Sequence, residues 1–180
     1  MTTGRKVIVH IAASADGFIA RPDGGLDWLT SRPAPKGFYG MGAFMKTIDT
    51  TVFGRKTYEA SLLLGAKFDG KSRAIVFSRQ ARPADASSGV EWVSEAVEPF
   101  VRQLREQPGK DIWLMGGGDI IASFLDANAI DEFVISVVPV FIGEGIPLIA
   151  PRHRHVPLEL LKTERFEDGL VQLHYRLTRG

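Results

Sequence analysis

The sequence predicts an α/β fold built on a mixed, mostly parallel sheet with helices on both faces and a C-terminal antiparallel hairpin. Three observations predict it. Short runs rich in Val, Ile and Phe alternate through the middle of the chain with segments of helical period, the pattern of parallel strands joined by crossover helices. Two of those runs end in glycine where a helix opens, at Phe53-Gly54 and at Met115-Gly116-Gly117-Gly118. The last two runs flank Glu167-Asp168-Gly169, a turn signal that joins them as a hairpin.

Taken in order, strands are expected at 6–13, 50–53, 72–78, 90–93, 111–115, 131–138, 162–167 and 170–177, all rich in residues that suit buried strand faces. A helix is expected at 38–48, where Phe38, Met41, Phe44/Met45 and Ile48 keep a helical period despite Gly40 and Gly42; this stripe reads as core. A short helix follows at 55–63. In 95–106, Val97, Val101 and Leu104 form a stripe after the N-cap candidate Ser94, and Pro99 predicts a kink or a later start. In 118–127, Ile120, Ile121, Phe124 and Leu125 face one side, and Asn128 is placed to close the helix. The polar loops 31–37 and 80–89 are too short to separate domains, so 1–180 is expected to be a single domain.

Composition narrows the function. The chain has 180 residues, enough to bury a core, with 44% hydrophobic and 24% charged residues. Lys and Arg number 22 against 21 Asp and Glu, a net charge of +1 that carries no footprint for nucleic acid. The absence of cysteine excludes disulfides, thiolate nucleophiles and Cys-based zinc sites. Arg5 and Lys6 precede an apolar stretch, as in a signal peptide, but His10 interrupts the run and the alternation from Val7 to Ile11 reads as a buried first strand. A cytoplasmic location and no membrane partner are expected.

Four stretches carry candidate chemistry. The strand Ile112-Trp113-Leu114-Met115 runs into Gly116, Gly117 and Gly118, whose backbone N–H groups open a helix with no side chain in the way; such a terminus favours an anion such as a diphosphate, although Asp119 would repel a phosphate placed too close. A tight strand-to-helix turn is the plain alternative. Gly54-Arg55-Lys56-Thr57 places cations and a hydroxyl at another helix start, without the spacing of a Walker A loop. Ser78-Arg79 ends a third strand in a hydroxyl and a guanidinium, the latter suited to phosphate. Ser14 to Ala20 and Asp23 to Trp28, rich in glycine and acid, read as a flap over a site. In open α/β sheets ligands bind at the carboxyl ends of strands, which is where these stretches fall. His153-Arg154-His155 lacks the carboxylates a metal site needs and no metal is expected; His10 and His174 sit in strand patterns and read as structural.

In order and spacing, S-A-D-G-F-I-A (14–20), L-D-W (26–28), F-G-R-K-T-Y-E (53–59), I-V-F-S-R (75–79), I-W-L-M-G-G-G-D-I-I (112–121) and A-I-D-E-F-V-I-S-V-V-P-V-F-I-G-E-G-I-P-L (129–148) resemble the dihydrofolate reductase superfamily. They are most similar to its branch containing the C-terminal reductase domain of riboflavin-biosynthesis deaminase-reductases (RibD) and small stand-alone relatives. The resemblance spans nearly the whole chain and implies a dihydrofolate reductase-like fold and an NADPH site. It implies that Arg55 and Arg79 meet the adenosine 2′-phosphate, that Gly54, Lys56 and Thr57 lie at the diphosphate, and that Gly116, Gly117 and Gly118 serve the diphosphate and nicotinamide side. Ala12 and Ile19 would flank the nicotinamide, with Ser78 near the adenine ribose.

The same resemblance implies hydride transfer to a small heterocycle, pterin-like or of the type of 5-amino-6-(5-phosphoribosylamino)uracil, and a homodimer. The apolar stretch from Val137 to Ile149 also favours a homodimer. One departure bears on substrate. Dihydrofolate reductases carry a carboxylate on the helix after the flap, whereas residues 30–48 contain no Asp or Glu, so this chain is expected to be a poor dihydrofolate reductase. Asp27, in the preceding loop, is the substitute candidate for the catalytic acid; an N-cap or exposed turn acid is its plain alternative. A binding module of the same fold without turnover is the competing function.

Overall fold

In the computed structural model, residues 4–178 are described apart from Ala34 and Asp85, which fall in the two polar loops; the expected single domain reaches beyond these residues at both ends. Eight strands form the main sheet: β1 (Val7–Ser14), β3 (Ile48–Gly54), β4 (Arg73–Phe77), β5 (Val90–Val93), β6 (Asp111–Gly116), β7 (Glu132–Val138), β9 (Leu158–Arg165) and β10 (Val171–Leu177). Their order is β5-β4-β3-β6-β1-β7-β10-β9. Every pairing from β5 to β7 is parallel, and β10 runs antiparallel to both β7 and β9. This is the mixed sheet with a terminal hairpin that the sequence predicts.

Strand alternation divides the residues between two faces. Val7 and Val9 of β1, Val52, Ile75, Ile112 and Leu114 are fully buried on one face, under α4 (Val97–Glu106) and α5 (Gly118–Asp126). On the other face Phe53, Ala74 and Val76 lie under α3 (Arg55–Leu63), whose Tyr58 joins them. Ala12 lies on that second face too, beside Trp28 of the short helix α1 (Asp27–Thr30).

Several expectations need correction. The helix foreseen at 38–48 is a 3-10 turn at Phe38–Gly40, followed by α2 (Met41–Thr47); Ile48 already belongs to β3. Gly37, Phe38, Tyr39 and Gly40 all have positive φ, at 84°, 46°, 54° and 78°, so the right-handed helix cannot begin before Met41. No residue of α2 is buried, and its apolar stripe is a wall and not core. β9 starts four residues earlier than expected because Leu161 is an extra residue between Leu160, opposite Tyr175, and Lys162, opposite His174. That bulge shifts the alternation by one and hides the strand's first half from a period-two reading. α4 begins at Val97, capped by Ala96 and not Ser94, so Pro99 falls in the first turn, where it is tolerated. Asn128, at φ 51°, follows the C-cap of α5 in the left-handed conformation foreseen for it.

A two-stranded sheet was not foreseen. β2 (Phe18–Ala20), from the flap, pairs with β8 (Ile146–Pro147). The fit is close enough that a Cβ on Gly118 would lie 2.4 Å from the Pro147 carbonyl oxygen, and one on Gly145 would lie 2.2 Å from that of Ala20. Gly118 is therefore required by packing whatever else it does. No helix among the described residues is long and apolar enough to cross a membrane.

Gly118→Ala should lower stability by about 1–3 kcal/mol in urea unfolding, since the backbone of β8 has to move. Gly54→Ala, at an ordinary φ of −72° and with nothing nearer than 3.7 Å to the new Cβ, should stay within about 1 kcal/mol of the parent. Equal losses would contradict the packing role of Gly118.

Candidate active site

Because β1, β3, β4 and β6 are parallel, their carboxyl ends share one edge of the sheet. α3 leaves β3 through Gly54 and α5 leaves β6 through Gly117, and neither N-cap makes a side-chain hydrogen bond to its helix. Two sets of first-turn N–H groups thus open side by side. Gly54 faces the Gly116–Gly117 peptide, which is cis: a Cβ on Gly54 would lie 3.8 Å from Gly116 O and 3.9 Å from Gly117 N. A Cβ on Gly117 would lie 3.4 Å from Thr57 Oγ1 and 3.7 Å from Ile19 Cδ1. Gly54, Gly116, Gly117, Thr57 and Ile19, chosen from separate motifs, are therefore brought together. Gly116, at φ 117°, needs glycine for its backbone alone.

Beside this cradle stands a polar group at the ends of β3 and β4. Arg55 donates to Glu59 (2.7 Å) and to Gln80 Oε1 (2.8 Å), while Ser78 Oγ accepts from the Gln80 N–H (3.1 Å). Arg79 and Lys56 are exposed next to them. Gln80, which the sequence reading passed over, is what links Arg55 to Ser78. Asp119 is exposed in the first turn of α5.

The flap is fixed at its root. Ser14 Oγ donates to Asp16 (2.6 Å), and the same carboxylate accepts from Ile142 N (3.1 Å) and Gly143 N (2.8 Å). The Ser14 hydroxyl and then these backbone N–H groups hold the Asp16 carboxyl below the usual range. In this way S-A-D-G-F and I-G-E-G-I-P form one unit above the end of β1.

On the α2 side of the sheet lies a cavity of about 250 Å³. His10, Tyr39, Phe44, Gln172 and His174 line it, and its exposed members Lys162 and Glu164 pair with each other at 2.7 Å. His10 precedes Ala12 by two residues on the same face of β1, and Ser136 is the register partner of Ala12. The cavity therefore lies about 7 Å along the strand from Ala12. Gln172 Nε2 donates to Ser136 Oγ (3.1 Å) and Tyr39 O (3.3 Å) and faces His10 Nε2 at 3.4 Å. The other ring nitrogen, Nδ1, is buried without a hydrogen-bond partner. Burial first, and then the nearby His174, lowers the His10 pKa to about 4, so the ring is neutral at pH 7. His10, read from the sequence as structural, thus borders the cavity. The signal was a polar residue on the inward phase of an apolar strand, repeated at Gln172 and His174.

Around this cavity two residues sit in an unfavourable conformation. Phe38 and Tyr39 are left-handed, at a cost of roughly 1–2 kcal/mol each. Tyr39 is held by its hydroxyl, which donates to Asp168 Oδ2 (2.5 Å), and by its ring, edge-on to Phe166 at 5.0 Å. Arg32 Nη2 donates to the same carboxylate oxygen at 2.9 Å.

Asp27 lies apart from these groups. It is the exposed first residue of α1, and its carboxylate takes two hydrogen bonds from Arg21, at 2.6 and 2.8 Å. The Arg21 hydrogen bond holds its carboxyl below the usual range. Arg152 and Arg154, around His153, both pair with Asp126. Among the described residues, no cluster of three or more His, Asp or Glu side chains is placed to hold a metal.

A flap over the end of β1, two uncapped helix starts across a glycine pair and a cavity beside Ala12 define a dihydrofolate reductase-like reductase fold. Comparison with known proteins gives the family: the model for the RibD C-terminal domain matches residues 5–172, and the chain belongs to that family. It is 35% identical over 171 residues to the Bacillus subtilis (strain 168) protein YwjB, covering 95% of this chain and 97% of that one. A structure from Shewanella sp. PV-4 named for riboflavin biosynthesis superposes with a TM-score of 0.86 at 30% identity, over 97% of this chain and 99% of the other. The Thermotoga maritima diaminohydroxyphosphoribosylaminopyrimidine deaminase/5-amino-6-(5-phosphoribosylamino)uracil reductase shares the fold (TM-score 0.74, 20% identity, 97% of this chain, 57% of that chain). So does Enterococcus faecalis dihydrofolate reductase complexed with NADP(H) (0.69, 19%, 97% of each chain).

Because the folded pKa of His10 lies below its ordinary 6.5, the unfolded chain takes up this proton first as pH falls. Its contribution is present above pH 6.5 and is lost between pH 6.5 and about 4, by about 3 kcal/mol at most. His10→Gln should flatten the stability-versus-pH curve over that window in urea titrations; an unchanged slope would contradict the burial of a neutral ring.

Proposed function

We propose that the chain is an NADPH-dependent reductase that transfers hydride to a small heterocycle of the ribosylaminopyrimidine or pterin type. The observation that carries this reading is the pair of helix starts, without side-chain caps, that meet across Gly54 and Gly117, because first-turn N–H groups there lack partners within their own helices. The residues at this edge suit a dinucleotide. The N-termini of α3 and α5, with Lys56 and Thr57, suit the diphosphate; Arg55, which Gln80 links to Ser78, and the exposed Arg79 suit the 2′-phosphate and ribose. Ala12 and Ile19 border the position of the nicotinamide, with Gly116 and Gly118 shaping the turn beside it. When bound, the cofactor supplies the hydride; the chain's part is to hold it against the acceptor and to exclude water.

The cavity over His10 is proposed to take the substrate ring. Its floor is neutral at pH 7 and its rim charges are paired, which suits an uncharged ring. It offers no carboxylate from α2, which weighs against folate. For Asp27 to act as the acid it has to part from Arg21. A cytoplasmic location remains part of the proposal.

The homodimer is also proposed, at a different place from the stretch that suggested it. Between Val137 and Ile149 only Phe141 is a strongly exposed large hydrophobic residue; Val138, Val140 and Ile142 pack with Trp28, and Leu148 and Ile149 pack on the core under α5. The eight-residue β9 is instead an edge strand with exposed Leu158 and Leu160, a template for pairing with a second copy. Light scattering at micromolar concentration should give twice 19.8 kDa, and Leu160→Lys should give the single chain. A 19.8 kDa species for the parent would overturn the dimer.

The function is tested by following NADPH oxidation with 5-amino-6-(5-phosphoribosylamino)uracil and with dihydrofolate. Turnover of the first and not the second is expected; NADPH binding without oxidation of either would favour the binding module. Arg55→Ala should weaken NADPH by about 10-fold or more and leave NADH nearly unchanged, as loss of a charge-assisted phosphate contact requires. Equal losses would contradict the 2′-phosphate assignment.

A further inference from the structure

We infer that Asp168, in the turn between β9 and β10, is a positioning residue for the substrate cavity, acting through Tyr39. The inference rests on the reading of that cavity as the substrate site. Asp168 does not line the cavity, yet it holds a residue that does. Tyr39 stands in a run of four residues with positive φ, two of them not glycine, and such a run persists only where the surroundings fix it. The fixing contacts come from the terminal hairpin. Asp168 accepts a hydrogen bond from the Tyr39 hydroxyl, Phe166 meets the ring edge-on, and Gln172 donates to the Tyr39 carbonyl.

Arg32 completes the tie by donating to both the carboxylate and the backbone oxygen of Asp168, at 2.9 and 2.8 Å. Tyr39 and Arg32 together keep the Asp168 carboxyl ionised, so the acceptor is in place at any pH near neutrality. Gln172 extends the chain of contacts inward, since it also donates to Ser136, the register partner of Ala12, and faces His10 on the cavity floor. The hairpin turn thus sets where Tyr39 and Gly40 wall the cavity and how Gln172 is presented within it. Tyr39 and Gln172 touch the cavity; Asp168 and Arg32 act only through them.

The test compares the parent with Asp168→Ala, Asp168→Asn, Tyr39→Phe and the double variant Asp168→Ala/Tyr39→Phe, by amide hydrogen exchange and by steady-state kinetics with 5-amino-6-(5-phosphoribosylamino)uracil. Exchange at residues 38–41 should quicken about 10-fold in Asp168→Ala and in Tyr39→Phe, while β1 and β6 keep their protection. The double variant should be no looser than either single one, as expected for two ends of one contact. Asp168→Asn keeps an acceptor and should retain most of the protection. In kinetics, KM for the pyrimidine should rise about 10-fold in Asp168→Ala, with kcat within about 3-fold and NADPH affinity unchanged. Unchanged exchange in Asp168→Ala, additive loosening in the double variant, or a loosened turn with an unchanged KM would each overturn the inference. A parent protein that turns over no pyrimidine would instead contradict the function reading, and the exchange measurements would still decide whether Asp168 holds Tyr39.

Discussion

The close approach of two strand-to-helix turns governs the structure. β3 and β6 are neighbours, and each hands its chain to a helix at the same edge of the sheet. The turns face each other across Gly54 and Gly117, and Gly116 adopts a φ of 117° that glycine tolerates. A dipole pair of this kind is costly to leave facing an apolar surface, since first-turn N–H groups lack partners within their own helix. The fold therefore keeps that edge polar, and cationic and hydroxyl residues gather around it. The flap above is fixed by Asp16 and by pairing with β8, and β8 itself requires Gly118. Glycines that read alike in the sequence thus do different work: Gly117 borders the cradle, while Gly118 admits a neighbouring backbone.

A second constraint is the unequal treatment of the two faces. Under α4 and α5 the inward residues are mostly apolar, with Arg5 and Thr50 buried and bonded to each other at one end, and this face supplies the main core. On the other face the sheet extends past α2, and the inward positions of β1, β7 and β10 turn polar at His10, Glu132, Ser136, Gln172 and His174. These groups bond one another, except for His10 Nδ1, which is buried without a partner. Lys6 and His174 bond Glu132; burial alone would raise that carboxyl, but the two bonds hold it below its usual range. Gln172 joins Ser136, Tyr39 and His10. A packed apolar face fixes the strands, and a hydrogen-bonded polar face borders the cavity.

Much of this was legible in the sequence. Strand-helix alternation and the Glu167-Asp168-Gly169 turn were enough for the mixed sheet and its terminal hairpin, because period and turn chemistry are local signals. The cradle was legible as well: Gly54, Thr57, Gly117 and Ile19 were picked out singly and meet in space. What stayed hidden depends on distance along the chain or on backbone geometry. β2 and β8 are too short to show a period and exist only because they meet. β9 lost its first half to one bulged residue, Leu161. The left-handed run at 37–40 was masked by an apolar spacing that imitates a helix, so Phe44 read as core and not as a wall. Asp168 read only as a turn former, since nothing local ties it to Tyr39, 129 residues away.

The central claim is that the edge formed by Gly54 and Gly117 is a dinucleotide site, and a crystal structure of the chain grown or soaked with NADPH tests it most directly. Density is expected for a diphosphate against the first turns of α3 and α5, the 2′-phosphate within reach of Arg55 and Arg79, and the nicotinamide between Ala12 and Ile19, facing the cavity over His10. NADPH bound elsewhere, or no NADPH at concentrations that saturate ordinary reductases, would contradict it.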